Sequence, residues 1–422
     1  MIKRTGYADL PLHTGTVPRW LADRMMLLGT EIVRALLMEY GKREVLVRLS
    51  DPLWFQSFGA VLGMDWHSSG ITTSVMYALK RGINAHSREF GLYVAGGRGS
   101  YSRQTPQELL SYGEATGLDG LALARDSRLC AKVDSAAVQD GFQLYQHNFI
   151  ITDEGDWAVV QQGMNTRTKT ARRYHWCSAS LRSFVDEPHT AVTGENRGKI
   201  LNLTDKAATQ TRSSILALST GESPDRTMKE ICAVARSVSA PGGQLELFPE
   251  TSPSAQAIIE TGRDLVMPRR HQVEADDVDL RRLGGVLATA YESQPKDFES
   301  LLLTPGLGPR TLQSLTLVSE VIYGTPSRLC DPARFSFAHG GKDGHPFPVP
   351  TKVYDESIRV LGDAIESSRL GWKEKSECIR RLSQTALAIE RNCDPKADFG
   401  ATMQRERSQS RQWGGRTCRG FV

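Results

Sequence analysis

The sequence predicts an α/β (α+β) N-terminal domain followed by a mainly α-helical C-terminal domain containing a helix-hairpin-helix. Three observations support this fold class. Apolar residues recur with helical spacing through much of the first 140 residues, a β-hairpin pattern follows, and helical spacing returns after Val266. At 422 residues the chain is long enough for two or three hydrophobic cores.

Local patterns predict the N-terminal elements in chain order. An amphipathic helix begins at Trp20, Arg43–Ser50 is a candidate strand, and "PLWFQSFGAVLG" and "TTSVMYALKRG" are helices. In "TPQELL", from Thr105, a Pro at the first helical position and a Glu three residues after the Thr favour a helix start. The helix after it is expected to reach Gly141.

The spacing then changes from helical to alternating. "FQLYQHNFIIT" and "DWAVVQQGM" flank the polar turn Asp153–Asp156, which predicts a β-hairpin. Further on, "SAPGGQLELFPETSPSAQ", from Ser239, concentrates Pro, Gly and Ser. The predicted units are a candidate catalytic domain at 1–185, an extension and linker at 186–265, a helical domain at 266–395 and a flexible tail at 396–422.

Composition disfavours several classes of protein. The helix after Trp20 is interrupted by charged residues, so no membrane span is expected. The first residues lack a signal-peptide pattern, which favours the cytoplasm. Seven cysteines without a C-x-x-C pair disfavour zinc ribbons, iron–sulfur clusters and a disulfide framework.

The formal net charge of +4 is concentrated in the tail. Residues 396–422 carry six basic and two acidic side chains, so the rest of the chain is formally neutral. A tail of this composition cannot bury enough apolar surface to fold alone. Either it attracts phosphate groups without sequence specificity, or it serves solubility.

The segment "FESLLLTPGLGPRTLQSL" has the pattern of a helix-hairpin-helix. Gly306 and Gly308 allow a tight turn and a close approach of the backbone to a ligand. Pro309 suits the first position of the second helix, whose N–H groups and dipole attract phosphate. Arg310 and Thr311 add a charged and a hydroxyl contact. We expect structure-selective binding to DNA backbone; a plain helical corner is the alternative.

Three further groups of basic residues are candidates for contact with nucleic acid. "GGRGSYSRQTP" sets arginines beside glycines, and "TRTKTARRYHW" sets a basic run before aromatic rings able to stack on unpaired bases. "HGGKDGH" holds a lysine among glycines, which suits a second phosphate. A solvated or capping loop is the alternative for each group. The candidate residues are Arg98, Arg103, Lys169, Arg172, Arg173 and Lys342.

Acidic and histidine side chains interrupt apolar segments of the N-terminal domain. Carboxylates and neutral imidazoles bind divalent cations, here Mg²⁺ or Mn²⁺ with Zn²⁺ as an alternative, and such an ion activates water for phosphodiester hydrolysis. For each residue alone, capping, hydrogen bonding or a surface position is the commoner role. The candidate catalytic residues are Asp65, His67, Asp134, Asp140 and His147; the first four are also candidate metal ligands, with Asp9 and His13 in reserve.

Two familiar arrangements are missing. The Asp…Glu-x-Lys pattern of restriction-like nucleases is not present, because the hairpin strand has Gln161 and Gln162 where Glu and Lys are expected. Repair glycosylases of the endonuclease-III type carry a Lys in the second hairpin helix or a catalytic Asp downstream. Here that helix has no Lys, and Asp331 is the acid nearest the expected place.

Several longer motifs resemble one family. "ADLPLHTGTVPRWL", "LGMDWHSSGITT", "VQDGFQLYQHNFI", "WAVVQQGMN" and "DPARFSFAHGGKDGHPFPV" together resemble an archaeal and bacterial family catalogued as domain of unknown function 763. The resemblance covers nearly the whole chain apart from the basic tail and the Pro/Gly-rich linker. It implies a prokaryotic cytoplasmic protein with a helix-hairpin-helix C-terminal half and a nuclease role in DNA processing or repair, without a catalytic assignment.

The leading hypothesis is a metal-dependent, structure-selective DNA nuclease that acts near a nick, gap, junction or end, with repair proteins as candidate partners. One alternative is a helix-hairpin-helix glycosylase or lyase that works without metal and uses Asp331 or a lysine. The other is a non-catalytic adaptor. It predicts binding without turnover, unaffected by substitutions at Asp65 or His67.

Overall fold

The fold combines helices with antiparallel sheet. The computed structural model describes residues 10–11, 19–64, 69–194, 196–221, 223–229, 280–333 and 351–390. Helices pack on both faces of a six-stranded sheet, and a three-stranded sheet lies beside them. The α+β class is thereby confirmed. In the ranges just given, no helix is both long and apolar enough to cross a membrane.

The first helix, α1 (Arg19–Ser50), covers one face of the main sheet. Its backbone leaves helical geometry at Gly41 (φ 82°, ψ 174°) and then resumes it. The strand predicted at Arg43–Ser50 is therefore wrong. Val45, Leu46 and Leu49 are buried, and their one- and three-residue spacing suits one face of a helix.

Two further predicted helices share this face. The helix α2 (Pro52–Val61) begins after Asp51, whose carboxylate accepts a hydrogen bond from the N–H of Trp54 at 2.7 Å. Then come α3 (Gly70–Ala85) and the short α4 (Ser87–Phe90). Their apolar sides pack with α1 against the sheet.

Within the described ranges, nine strands form the two sheets. In chain order they are β1 (Leu10–Pro11), β2 (Leu92–Arg98), β3 (Val138–Gln139), β4 (Gln143–Thr152), β5 (Trp157–Asn165), β6 (Thr170–Cys177), β7 (Ala191–Thr193), β8 (Lys199–Asn202) and β9 (Arg328–Cys330). The main sheet has the order β1-β6-β5-β4-β2, with β7 on β6, and the small sheet has the order β3-β8-β9. The predicted hairpin is confirmed as β4 and β5, which pair antiparallel across the turn at residues 153–156.

Helices α5 (Thr105–Thr116) and α6 (Gly120–Lys132) cover the opposite face. The predicted helix start is confirmed, but Pro106 is the second residue of α5 and no side chain caps the helix. The helix predicted to reach Gly141 ends earlier: after Lys132 the chain forms a π-helical turn (Val133–Ala137) and then β3, which pairs with β8. A 3₁₀ turn (Gly99–Gln104) links β2 to α5.

The remaining helices complete the layers. They are α7 (Thr209–Thr220), α8 (Leu280–Ser293), α9 (Phe298–Leu302), α10 (Pro309–Tyr323), α11 (Thr351–Ser367) and α12 (Trp372–Glu390); residues 224–229 are also helical.

Two hydrophobic cores lie on the two faces of the main sheet. Leu361 of α11 is buried with Leu36 and Phe58 in one core, and Leu315 of α10 is buried with Leu129 in the other. The small sheet also joins β3, β8 and β9 from three of the predicted units. Residues on both sides of the predicted linker therefore share each core.

Candidate functional site

Asp134 and His147 belong to one buried hydrogen-bond network on the α5–α6 face of the main sheet. Asp134 accepts hydrogen bonds from Gln161 Nε2 and, at 2.9 Å, from Trp176 Nε1. Its second oxygen contacts His189 Nε2. Gln161 Oε1 lies 2.7 Å from His147 Nδ1 and so joins the two candidates. Burial lowers the pKa of His147, which favours the neutral ring.

Asp140 belongs to a second buried network on the same face. The guanidinium of Arg172 donates to Asp140 at 2.9 Å and to Asp331 at 2.8 Å. The Tyr174 hydroxyl and the N–H of Phe142 also donate to Asp140, at 2.6 Å and 2.9 Å. Burial raises the pKa of Asp140, while the charge of Arg172 opposes that shift. One arginine thus bridges two buried carboxylates from distant parts of the chain.

These contacts correct part of the predicted site. Asp134, Asp140 and His147 are buried and hydrogen-bonded within the protein, so they are not open ligands at a surface. Over the residues that the structure describes, no group of three His, Cys, Asp or Glu side chains is arranged to hold a metal ion. The other candidate ligands, Asp65, His67, Asp9 and His13, lie outside the described residues.

Arg172 and Arg173 were predicted to contact nucleic acid, but both are 0% exposed within β6. Successive strand residues point to opposite faces, so Arg173 faces α2 and α3. It donates to Gln56 and His175 at 2.8 Å each, and its guanidinium lies 4.7 Å from the ring of Phe55. Burial lowers the pKa of Arg173 to about 9. Both arginines are internal hydrogen-bonding residues, which corrects that prediction.

A row of polar side chains crosses the face of the main sheet that packs against α2 and α3. Arg98 lies opposite Gln146, Gln146 opposite Gln162, and Gln162 opposite Arg173 in the strand register. Gln162 Nε2 donates to the backbone oxygen of Ser69 at 3.1 Å, just before α3. The row runs from Arg98, at the exposed end of the edge strand β2, into the interior. It lies on the face opposite to Asp134 and Asp140, so the described candidates do not form one cluster.

The predicted hairpin segment forms two helices joined by a tight turn. Gly306 has φ 82°, a left-handed conformation that favours glycine, whereas Gly308 is extended (φ −142°, ψ −177°). Gly308 is the N-cap of α10 and Pro309 its first residue, and no side chain caps the helix. Pro305, Gly306, Pro309 and Arg310 are exposed.

Two side chains from the N-terminal part of the chain form hydrogen bonds to the backbone of the turn. Lys132 Nζ donates to the backbone oxygen of Leu307, and the Leu307 side chain is buried. Gln139 Nε2 donates to the backbone oxygen of Pro309 at 2.8 Å. Thr311 is only 8% exposed, so its side chain offers little surface for the predicted hydroxyl contact. The hairpin therefore presents Pro305, Gly306, Pro309 and Arg310 to solvent.

A second exposed turn lies where β2 leads into the 3₁₀ turn. Gly96, Gly97 and Gly99 all have positive φ, at 85°, 150° and 62°. Arg98 and Arg103 are exposed as the basic motif predicts. Elsewhere, Lys169 is exposed in the turn between β5 and β6, while Lys342 lies outside the described residues.

Sequence reasoning missed several residues of these sites. His189 contacts Asp134, and Tyr101, between Arg98 and Arg103 in the sequence, is exposed. Trp176, expected among the rings that stack on bases, is instead 0% exposed and donates to Asp134. The available signal for Tyr101 was its place among glycines and arginines in "GGRGSYSR". No local signal marks His189, because its partner lies 55 residues earlier.

The fold and these sites define an α+β protein with buried polar networks on both faces of an antiparallel sheet and two exposed glycine-containing turns. The chain belongs to the family described as "Protein of unknown function (DUF763)", which matches residues 6–349. No curated protein matches the chain, and no solved structure does.

Proposed function

We propose that this protein binds the DNA backbone through the hairpin at residues 304–311 and acts as a metal-dependent, structure-selective DNA nuclease in repair or processing. The class of ligand is inferred from the N-terminus of α10. Its N-cap is Gly308, and no side chain forms a capping hydrogen bond there. Exposed N–H groups at a helix N-terminus suit phosphate, and Arg310 adds charge beside them.

One observation carries the proposal. Gly308 has an extended φ that any residue adopts, and a Cβ there would meet only the Gly306 oxygen, at 3.9 Å, among the described atoms. Neither backbone strain nor internal packing accounts for a glycine at this position. A side chain would, however, stand in front of the helix N-terminus, so the glycine suits the close approach of a ligand's backbone.

Binding of this kind selects DNA by shape. Phosphate contacts carry little information on base sequence, and a rigid turn fits a backbone whose path is set by a nick, gap, junction or end. The hydrogen bonds from Lys132 and Gln139 to the turn hold it in place. We therefore expect salt-sensitive binding that depends on DNA structure.

The cleavage part of the proposal assigns the metal to Asp65 and His67, with Asp9 and His13 in reserve. These donors suit Mg²⁺ or Mn²⁺, with Zn²⁺ as an alternative. A bound ion would activate water and offset the charge that develops on the phosphodiester. Asp134 and Asp140 are no longer preferred as ligands, since their hydrogen bonds are made within the protein.

The test uses end-labelled intact, nicked, gapped and splayed duplexes with Mg²⁺ or Mn²⁺ against EDTA. Cutting that needs metal, depends on DNA structure and is lost in Asp65→Ala supports the nuclease. Gly308→Asp should lower both binding and cutting, because a carboxylate at the N-cap repels phosphate. The neutral control Gly308→Asn separates charge from bulk. Cutting that persists in Asp65→Ala would overturn the catalytic assignment.

A non-catalytic adaptor is the second candidate, and the closed networks around Asp134 and Asp140 favour it. It predicts binding with no cutting under any metal condition. The glycosylase alternative has less support, since Asp331 is buried and its carboxylate accepts two hydrogen bonds from Arg172.

A further inference from the structure

We propose that the turn at residues 96–104 is a second DNA site, which binds an unpaired strand by stacking a base on Tyr101 between the charges of Arg98 and Arg103. This inference rests on the proposed DNA-binding function and specifies the substrate class as duplex with a single-stranded end or flap. We call these three side chains the stacking site.

The base of the turn is held rigidly. A Cβ at Gly96 would lie 2.1 Å from the backbone oxygen of His147, so β2 can lie this close to β4 only with a glycine at position 96. Lys80 Nζ donates to the Gly96 oxygen at 2.7 Å, and Glu108 accepts from the Gly96 N–H at 2.6 Å. Lys80 and Glu108 also pair with each other. These contacts therefore fix the backbone position from which residues 97–104 extend.

The stacking site is the exposed end of that support. Tyr101 is 61% exposed, and its Cβ would lie 3.1 Å from a Cβ at Gly97, so the missing side chain of Gly97 makes room for it. Gly99 faces open space. An aromatic ring this exposed costs free energy in water, and a stacking partner would recover it.

The two arginines supply charge that the described structure leaves uncompensated. Neither Arg98 nor Arg103 forms an ion pair with any residue that the structure describes. By contrast, Arg81 on the nearby α3 pairs with Asp23 at 2.8 Å. Arg98 instead lies 5.9 Å from the ring of Tyr145. Two exposed arginines without an ion pair in the described part of the chain, three and two residues from an exposed ring in the sequence, match a ligand with successive phosphates and an accessible planar base.

Unpaired DNA is the ligand that offers both groups. In a duplex the base faces are covered by their neighbours, whereas a single strand presents bases that stack on aromatic rings without sequence preference. The stacking site is also connected to the hairpin through packed helices. It leads into α5, which packs on α6, and the last residue of α6, Lys132, binds the hairpin turn.

The test compares the full-length protein with Tyr101→Ala and with Arg98→Gln/Arg103→Gln, by fluorescence anisotropy on an oligo-dT strand, a blunt duplex and a splayed duplex. Tyr101→Ala should weaken binding to the strand and to the splayed duplex roughly tenfold, the effect of losing one base–aromatic stack. Blunt duplex binding should stay within about twofold. Tyr101→Phe, which keeps the ring, should bind as the parent does.

Matched controls come from exposed residues elsewhere. Tyr323→Ala removes a ring that is 50% exposed at the end of α10, and Arg369→Gln removes an exposed charge. The inference is overturned if Tyr101→Ala behaves as Tyr323→Ala does, or if strand and duplex binding fall together. Failure of the hairpin proposal is a separate result: blunt duplex binding would then be unaffected by Gly308→Asp.

Discussion

Arg172 and Arg310 are both arginines in motifs that suggest contact with DNA, yet they lie in opposite environments. Arg172 is 0% exposed and bridges two carboxylates, whereas Arg310 is exposed at the start of a helix. The buried networks hold distant segments together, and the exposed hairpin leaves a backbone surface open. Polar residues of the same type thus stabilise the fold in one region and suit a ligand in the other.

The largest expected effect tests the buried side of this comparison. Arg172→Ala would leave Asp140 and Asp331 buried without their shared guanidinium. Loss of one member of a buried ion pair costs roughly 3–5 kcal/mol, so the free energy of unfolding should fall by that order. Urea denaturation measures it. Arg98→Ala, at an exposed position, is the control and should change stability by less than about 0.5 kcal/mol; equal losses would contradict the comparison.

A smaller loss is expected at the hairpin turn. Gly306→Ala places a Cβ on a residue with φ 82° and 3.1 Å from Val286 Cγ2. Left-handed backbone costs a non-glycine residue roughly 1–2 kcal/mol, which should appear as a lower urea midpoint. Gly308→Ala is the matched control, because its φ of −142° allows any residue. The turn geometry would be wrong if Gly306→Ala were as stable as Gly308→Ala.

The third prediction concerns pH. Burial lowers the pKa of His147, opposed by its hydrogen bond to Gln161 and by the charge of Asp134. The unfolded ring takes up a proton near its ordinary pKa of about 6.5, whereas the folded ring stays neutral to lower pH. The stability that comes from keeping the His147 ring neutral is therefore fully present above about pH 6.5, and it is lost as the pH falls towards the pKa of the folded ring.

His147→Gln should accordingly flatten the fall in unfolding free energy between about pH 6.5 and 5, where one histidine contributes up to roughly 1.4 kcal/mol per pH unit. Urea titrations at several pH values measure the slope. An unaltered slope in His147→Gln would contradict a lowered pKa of this ring in the folded protein.

The smallest expected change in stability belongs to Gly308→Asp, a substitution that should nevertheless weaken DNA binding. Asp is a favoured N-cap residue, so Gly308→Asp should keep the free energy of unfolding within about 0.5 kcal/mol of the parent or raise it. Binding to duplex DNA should nevertheless fall, because the new carboxylate faces phosphate. A thermal melt and a salt titration of binding are measured on one preparation. Full binding by this variant would remove the hairpin from the interface.

Much of the fold could be read from local patterns. The β4–β5 hairpin follows from alternation around a polar turn, α2 and α3 from helical spacing, and the turn at Gly306 from glycine spacing before Pro309. The segment Arg43–Ser50 was mistaken for a strand because a short apolar run with Val and Leu fits either period. Only packing of its buried side against the sheet settles it as helix.

The amino-acid sequence by itself determined the α+β class, the glycine turn before Pro309 and the exposed basic turn around Arg98, because each depends on residues close together in the chain. The tertiary structure decided the roles of the scattered charges. Asp140 and Asp331 meet at Arg172 across 191 positions of separation that no local pattern records, and adjacent Arg172 and Arg173 reach opposite cores because strand side chains alternate. Burial then makes these charges part of the fold.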